Sequence, residues 1–381
     1  MKFKLTLLLL LVALVTQAQD SLFARRMVDT LTSPYFWGRG YTNDGMGKAG
    51  CFIVDQFKSY GLQPLDGNSY MQEFSFNANT FPGKMEVNIN GVALVPGKEF
   101  IVGPQSRGLK AKGTLVQKDS THFVDEENRV VLSLEKKLTW GVSQQVADFT
   151  AIQVDAKKIK QLPTTINVNI DNQLTNNFKT ANICGMVRGT TKPDSFIVFS
   201  AHYDHLGGMG ADTYFPGAND NASGVSQLLS LAKYYAANPQ PYSMMFIGFS
   251  GEEAGLLGSK YFSEHPLIKL ANIRFMVNMD ILGTGDEGIM VVNATVYPKE
   301  FNLLKGLNTT GKYIAKINSR GKAANSDHYW FTEKGVPAFY MYTMGGIKAY
   351  HDVFDISKTL PLNGYNGVFK LLTGFVNELS K

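Results

Sequence analysis

The stretch FIVFSAHYDHLG, residues 196–207, is an apolar run that ends in two histidines and an aspartate. Runs of similar character recur along the chain, at 182–187, 243–250, 274–280, 289–293 and 337–342. Apolar residues with helical spacing lie between them, most clearly over 222–238. Strands that alternate with helices are typical of a mostly parallel sheet covered by helices on both faces. The sequence therefore predicts a doubly wound α/β fold.

Residues 68–172 interrupt this pattern. Short runs such as MEVNINGVAL (85–94) and TTINVNI (164–170) alternate apolar and polar residues with a period of two. Such spacing indicates short strands. We expect a smaller β-rich lobe here, inserted into an α/β domain that consists of residues 20–67 and 173–381.

The first residues, 1–19, have the pattern of a secretory signal peptide. Two lysines precede an apolar run from Leu5 to Val15, and small or polar residues follow, with cleavage expected after Ala18 or Gln19. The apolar run is shorter than the ~20 residues that a membrane-spanning helix needs. We therefore expect export to the periplasm or the exterior, without stable membrane insertion after cleavage.

The composition describes a globular protein. Of 381 residues, 44% are hydrophobic and 18% are charged. The net charge of +5 is small and its lysines and arginines are dispersed, which argues against nucleic-acid binding. The two cysteines, Cys51 and Cys184, lie in a predicted helix and strand, and we expect two buried free thiols rather than a disulfide. The sequence gives no indication of the oligomeric state.

Acidic and histidine residues occur at or just beyond several of the apolar runs. They are His202, Asp204, Asp220, Glu252, Glu253, Asp280 and His351. In an open α/β sheet, ligands bind outside the carboxyl ends of the strands, so such residues converge in space. Two imidazoles with several carboxylates and no thiolate are ligands suited to zinc or a similar divalent cation. The chain is therefore predicted to be a metal-dependent hydrolase.

The local contexts of these residues indicate separate roles. Asp204, two residues after His202, can accept the ring N–H of His202 and orient the imidazole. Asp220, in GANDNASG (217–224), can bridge two cations through its two oxygens, although capping of the next helix explains it equally well. Of the adjacent Glu252 and Glu253, one can ligate a cation while its neighbour acts as a general base.

Six motifs taken in order resemble those of the co-catalytic zinc aminopeptidases, a family that includes secreted bacterial leucine aminopeptidases. The motifs are HYD, GANDNASG, GEEAGLLGS, NMD, SDHYWF followed by GVP, and YHDVFD, all between residues 180 and 381. The resemblance implies a zinc exopeptidase fold and two zinc ions per chain. It implies that His202 and Asp280 hold one ion, that Glu253 and His351 hold the other, and that Asp220 bridges them. It further implies that Glu252 is the general base and that Asp204 orients His202.

Two alternatives come from relatives of this family. Glutaminyl cyclases share the fold but use one zinc ion to cyclise an N-terminal glutamine, and the NASG run after Asp220 favours a peptidase instead. Catalytically inert, receptor-like relatives have lost ligands, whereas every ligand is present here. We therefore expect an aminopeptidase that acts on peptides.

The substrate pocket is less well defined by the sequence. The resemblance implies that Asp327 lines the pocket, and His328 and Tyr350 are further candidates. The pocket walls are expected from loops 205–217, 283–288 and 343–350. Tyr214, Phe215 and Met344 would make the pocket partly apolar, and His205 is a further residue beside the site. An exopeptidase must exclude the middle of a polypeptide. Members of the family that the chain resembles often carry a protease-associated lid domain at this place, and we therefore expect the 68–172 lobe to restrict access to the cleft.

Overall fold

The computed structural model describes residues 21–381, so the predicted signal peptide at 1–19 lies outside the described residues. None of the helices within 21–381 is long and apolar enough to cross a bilayer. The helices are α1 (21–31), α2 (Gly45–Tyr60), α3 (Ser223–Ala237), α4 (Leu257–Glu264), α5 (Pro298–Gly311), α6 (His328–Glu333) and α7 (Tyr365–Ser380). Shorter helical turns cover Pro34–Arg39, Ala156–Lys158, Ala218–Ala222, Leu270–Asn272 and Ser357–Thr359.

Eighteen strands form three sheets within the described residues. In chain order they are β1 (Gln63–Pro64), β2 (Met71–Thr80), β3 (Met85–Ile89), β4 (Val92–Leu94), β5 (Phe100–Val102), β6 (Leu109–Thr114), β7 (Val116–Gln117), β8 (His122–Asp125), β9 (Val130–Glu135), β10 (Thr150–Asp155), β11 (Thr165–Ile170), β12 (Gln173–Val187), β13 (Lys192–His202), β14 (Tyr242–Phe249), β15 (Ile273–Met279), β16 (Gly288–Val292), β17 (Ile317–Ser319) and β18 (Ala338–Met344).

The main sheet has nine strands in the order β1-β12-β14-β13-β15-β18-β16-β17, with β2 also paired to β12. Its four central strands, β14, β13, β15 and β18, are parallel to one another. Towards the edges, β12 and β16 run antiparallel to β14 and β18. The predicted α/β fold is confirmed, and the parallel part of the sheet is its centre.

The central strands bury both faces, as strands of a parallel sheet must. Alternate residues of β13 point to opposite sides: Phe199 packs in the core beneath α2, α3 and α7, whereas Val198 packs in a second core beneath α4 and α6. All eight residues of β14 are buried. Helices therefore cover the sheet on both faces, which explains why the strand sequences read as continuous apolar runs.

The residues between β2 and β12 build two further sheets. One has the order β5-β10-β9-β8-β7 and the other the order β4-β3-β11-β6. Together they enclose a separate hydrophobic core, which also takes in Leu206, Met209 and Phe215 from the loop after β13. Strand β2 lies within the predicted 68–172 insertion but pairs with β12 of the main sheet. We refer to residues 81–170 as the lobe.

The two cysteines are both free, but only one is buried. Cys184 lies in β12 with its side chain in the core beneath α4 and α6, whereas Cys51 lies on α2 and is exposed. The prediction of two buried thiols was therefore wrong for Cys51. The core-facing side of α2 is formed by residues such as Gly50, Ile53 and Phe57, and Cys51 points away from it.

Candidate metal centre

The carboxyl ends of the four central parallel strands carry most of the predicted ligands. His202 is the last residue of β13, and Asp280 directly follows β15. Glu252 and Glu253 follow β14 after two intervening residues, and His351 lies in the loop beyond β18. Because these strands are parallel neighbours, their ends meet at one edge of the sheet, where the topology brings distant parts of the chain together.

Asp220 lies between the two histidines. Its Oδ1 is 3.3 Å from His202 Nε2, and its Oδ2 is 3.1 Å from His351 Nε2. On the outer sides, Asp280 Oδ1 lies 3.2 Å from His202 Nε2, and Glu253 Oε2 lies 3.2 Å from His351 Nε2. Each histidine thus faces one carboxylate of its own and shares the third. All five side chains predicted as ligands converge here.

The charges in this cluster are strongly coupled to one another. Burial disfavours charge on all of them, but the opposite charges outweigh it for His351, whose pKa rises to about 11 chiefly through Glu253 and Asp220. The pKa of His202 also lies well above its usual value, because Asp280 and Glu252 oppose the effect of burial. Hydrogen bonds from His202 and His351 hold the pKa of Asp220 well below its usual range. The buried carboxylates of this cluster therefore stabilise positive charge placed between them.

The donor set fits divalent cations. Three groups of candidate ligands in residues 21–381 have ligand atoms within 4.8 Å of one another: His202, Asp220 and Asp280; His205, Asp220 and Glu253; and His202, Glu252 and Glu253. Asp220 belongs to two of these groups, one on each side of the cluster. Imidazole nitrogens and carboxylate oxygens without a thiolate match zinc, and a carboxylate that faces both ways matches a pair of ions.

Glu252 is a partly buried carboxyl group at the same edge. Burial, followed by the negative charges of Glu253, Asp327 and Asp280, raises its pKa well above the usual range, although His202 opposes this. Its neighbour behaves in the opposite way: hydrogen bonds and charge from His351 and His205 overcome burial and lower the pKa of Glu253 to about 2. The two adjacent glutamates therefore have different affinities for a proton.

Asp204 does not contact His202 as predicted. His202 Nδ1 lies 3.1 Å from the main-chain carbonyl oxygen of Asp204 and 3.8 Å from its carboxylate. Strand β13 ends at His202, so the alternation of side chains on which the prediction depended does not extend to Asp204. The buried carboxylate of Asp204 accepts instead from the main-chain N–H groups of Glu252 and Glu253, at 3.2 and 3.3 Å. It thereby fixes the backbone that presents both glutamates.

Two residues that support the Asp220 loop were not identified from the sequence. The buried guanidinium of Arg39 donates to the carbonyl groups of Leu31, Tyr203, Pro216, Gly217 and Asp220. The buried carboxylate of Asp355 accepts from the main-chain N–H groups of Asn219 and Asp220, at distances between 2.8 and 3.0 Å. Asp355 ends the quoted YHDVFD motif, which was a usable signal. Arg39 lies in a turn-rich segment, where no pattern in the sequence indicates that its side chain is buried.

The remaining predicted residues surround the cluster. Asp327 and His328 are fully buried, and Tyr350 is 44% exposed with its ring stacked on His351 at a centroid distance of 4.0 Å. His205 Nδ1 lies 2.7 Å from Glu253 Oε1. Phe215 is fully buried and stacks on Trp140 of the lobe, so the prediction that it lines the substrate pocket was wrong. An apolar side chain in a loop can pack against an adjoining lobe as readily as it can line a pocket.

Comparisons with known proteins show which family the chain belongs to. The family described as Peptidase family M28 matches residues 182–376, slightly more than half of the chain. The chain is 34% identical to a probable zinc metalloprotease of Pyricularia oryzae, over 29% of this chain and 23% of that protein. It is 29% identical to aminopeptidase YwaD of Bacillus subtilis, over 38% of this chain and 31% of that one. The chain therefore spans less than a third of the length of either relative.

Solved structures match over nearly the whole chain. A Shewanella amazonensis protein described as a peptidase M28 precursor has a TM-score of 0.73 at 16% identity, covering 97% of this chain and 95% of that one. BSAP, a zinc aminopeptidase from Bacillus subtilis, has a TM-score of 0.69 at 16% identity, covering 94% of each chain. At this level of identity the similarity establishes a shared fold.

Proposed function

Because the chain belongs to peptidase family M28, we propose that it is a metal-dependent aminopeptidase that releases N-terminal residues from peptides. The observation that carries the proposal is the position of Asp220, whose two carboxylate oxygens lie 3.3 and 3.1 Å from the imidazoles of His202 and His351. A bridging carboxylate between two otherwise separate ligand pairs is the arrangement that a two-cation hydrolase needs.

In this proposal each half of the site holds one zinc ion. His202 and Asp280 would hold the first, His351 and Glu253 the second, and Asp220 would bind both. When bound, a pair of zinc ions polarises a scissile carbonyl group and makes water a stronger nucleophile near neutral pH. Named relatives support zinc, since they include a probable zinc metalloprotease and a zinc aminopeptidase.

Glu252 is the proposed general base. Its pKa is raised well above the usual range, chiefly by burial, so the carboxyl group has an increased affinity for a proton, which is the property that such a base requires. Its side chain would accept the proton of the attacking water and pass it to the leaving amine. Asp204 would hold the Glu252–Glu253 backbone in place through its two hydrogen bonds.

The lobe is proposed to restrict the cleft to chain ends. Support comes from its position, because Trp140 of the lobe lies within hydrogen-bonding distance of His351. Tyr350 is the most exposed of the three predicted pocket residues and is the one we expect to contact substrate first. Shortening the lobe should increase cleavage of long polypeptides relative to short peptides, and unchanged selectivity would argue for a purely stabilising lobe.

A substrate panel tests the proposed activity. Aminoacyl reporters, the same reporters with blocked N-termini, and peptides that begin with glutamine should be compared on purified protein supplied with zinc. We expect release only from free N-termini. Cyclisation of the glutamine peptides without release would assign the chain to the cyclase alternative, and no reaction with any of them would favour an inert binding protein.

Export is proposed on the sequence of residues 1–19. N-terminal sequencing of the protein recovered from its native host should find a chain that starts near Gln19 or Asp20. A mature chain that retains Met1 would contradict export through this segment.

A further inference from the structure

A segment of the lobe contacts the loop that carries His351. This segment, residues 137–140, lies between β9 and β10. The main-chain N–H of Trp140 donates to the His351 carbonyl oxygen at 2.9 Å. The ring nitrogen Nδ1 of His351 lies 2.9 Å from the main-chain carbonyl oxygen of Trp140. Because a carbonyl can only accept, Nδ1 carries the proton in this contact. Nε2, which faces Asp220 and Glu253, is then the nitrogen available to a cation.

The side chain of Trp140 is anchored in the core of the lobe, and this fixes the position of the residue. The indole Nε1–H donates to the carbonyl oxygen of Val102 in β5 at 2.7 Å, a hydrogen bond between buried groups. The ring stacks on Phe215 at a centroid distance of 4.6 Å, and Trp140 is only 6% exposed. The partner of the His351 ring is therefore a fixed part of the lobe and not a mobile surface group.

Lys137 makes a second attachment in the same segment. Its ammonium group donates to the carbonyl oxygens of Lys348 and Tyr350, at 3.0 and 3.1 Å, and lies 3.4 Å from the carboxylate of Asp352. These contacts lie on both sides of His351 in the sequence. The lobe thus holds the main chain of the loop as well as the imidazole.

The loop needs such support more than the strand ends do. His351 has a φ of 53°, in the left-handed region that a residue with a β-carbon adopts only where its surroundings fix it. No strand or helix includes it. His202, by contrast, ends a strand that is paired on both sides and finds its ring partner two residues along its own chain.

We propose that residues 137–140 of the lobe position His351 as a cation ligand, so that the lobe sets the affinity of one of the two cation positions. Trp140 is the main positioning residue and Lys137 assists it. This inference rests on the proposed two-cation function and adds to it a dependence of one position, not of the other, on the inserted lobe.

Zinc titration of the metal-free full-length chain by calorimetry tests the inference. Trp140→Phe keeps an aromatic ring but removes the Nε1–H that anchors the segment. We expect it to weaken one of the two binding steps by up to about 10–100-fold, the effect of losing an outer partner of a histidine ligand altogether, because the carbonyl group of residue 140 remains but is no longer anchored. The other step should be unchanged. His351→Gln and Asp280→Asn identify which step belongs to which half.

A matched pair of lysines guards against a general loss of structure. Lys137→Met should weaken the same step about two- to fivefold, the scale of an exposed ion pair. Lys136→Met removes the same charge from the neighbouring exposed residue and should change neither step. Thermal unfolding of each variant checks that it is folded; if Trp140→Phe does not fold, the lysine pair decides the question.

The outcomes distinguish positioning of His351 by the lobe from the two-cation function on which it depends. Weakening of only the His351 step supports positioning by the lobe. Equal weakening of both steps, or no change in either step with folded variants, would overturn it. A wild-type chain that binds a single ion would instead contradict the two-cation function, and this result is read before any variant is made.

Discussion

The two halves of the candidate metal centre are built in different ways. The His202 half lies on adjacent parallel strands, and the side chain of His202 is 1% exposed. The His351 half depends on a loop, and the side chain of His351 is 16% exposed. The ring of His202 contacts a carbonyl group of its own segment, whereas the ring of His351 contacts a carbonyl group of the lobe. One half thus follows from the α/β topology, while the other requires a second structural unit.

The largest effect expected is on turnover. Glu252→Gln removes the proposed base but leaves the proposed ligands, so turnover should fall by about 10²–10⁴-fold while both ions remain bound. Glu253→Gln is the isosteric control one residue away, and it should weaken the ion of the His351 half. Steady-state kinetics and metal analysis on both variants check this. Full activity in Glu252→Gln would show that the base is a different group.

Removal of one ligand from each half shows whether the two cation positions are independent. Asp280→Asn should weaken the ion held by the strand ends, and His351→Gln should weaken the ion held by the loop. Each loss should be no smaller than the ~10–100-fold of an outer partner. Because the His202 half is more buried and more rigid, we expect its ion to be the tighter one in the wild type. Two-step zinc titration measures both, and an identical response of the two variants would argue against independent halves.

Arg39 supports the loop that carries Asp220, the ligand proposed to be shared by both halves of the site. Burial lowers the pKa of its guanidinium to about 10, so it stays charged at neutral pH. Arg39→Lys keeps the charge but cannot supply the same fork of donors to buried carbonyl groups. We expect a loss of about 1–3 kcal/mol in the free energy of unfolding for each carbonyl left unpaired. Arg26→Lys, at an exposed position, is the control and should change stability little. Denaturant unfolding of the metal-free variants compares them.

The smallest effect expected is the release of protons when zinc binds. The carboxylates of Glu253 and Asp220 raise the pKa of His351 to about 11 against the effect of burial, so its ring is protonated at pH 7 without a cation. A ligand nitrogen must lose that proton, so each histidine should release about one proton and zinc affinity should increase with pH. Calorimetry in two buffers of different ionisation enthalpy counts the protons. His351→Gln should release about one fewer, and an equal count in both proteins would contradict this interpretation.

Much of the site could be predicted because strand ends are visible in the sequence. His202, Glu253 and Asp280 each follow an apolar run, and the topology of parallel strands brings such ends together. Asp220 was ambiguous between a bridge and a helix cap, because only the position of His351 relative to His202 distinguishes them. The bridging role of Asp220 was predicted from the resemblance to the family motifs, and the spacing of residues alone did not predict it.

The features that could not be predicted are long-range contacts without a periodic signal. Arg39 binds carbonyl groups as much as 181 positions away, and nothing in its own segment indicates this. The contact of the His351 ring with Trp140 joins two loops 211 residues apart, and on the Trp140 side it uses a main-chain carbonyl group, which any sequence provides. The error over Asp204 was local: its position relative to His202 was deduced from strand geometry, but the strand ends at His202, two residues before Asp204.

The number of zinc ions bound per chain, in the wild type and in Asp220→Asn, shows whether Asp220 joins the two halves of the site. If Asp220 joins the two halves, the wild type should saturate at two ions, and Asp220→Asn should weaken both binding steps because the amide cannot bridge and both ions lose the negative charge that they share. His351→Gln should weaken chiefly one of them. A wild type that saturates at one ion or fewer, or an Asp220→Asn variant in which either step keeps its full affinity, would contradict the account.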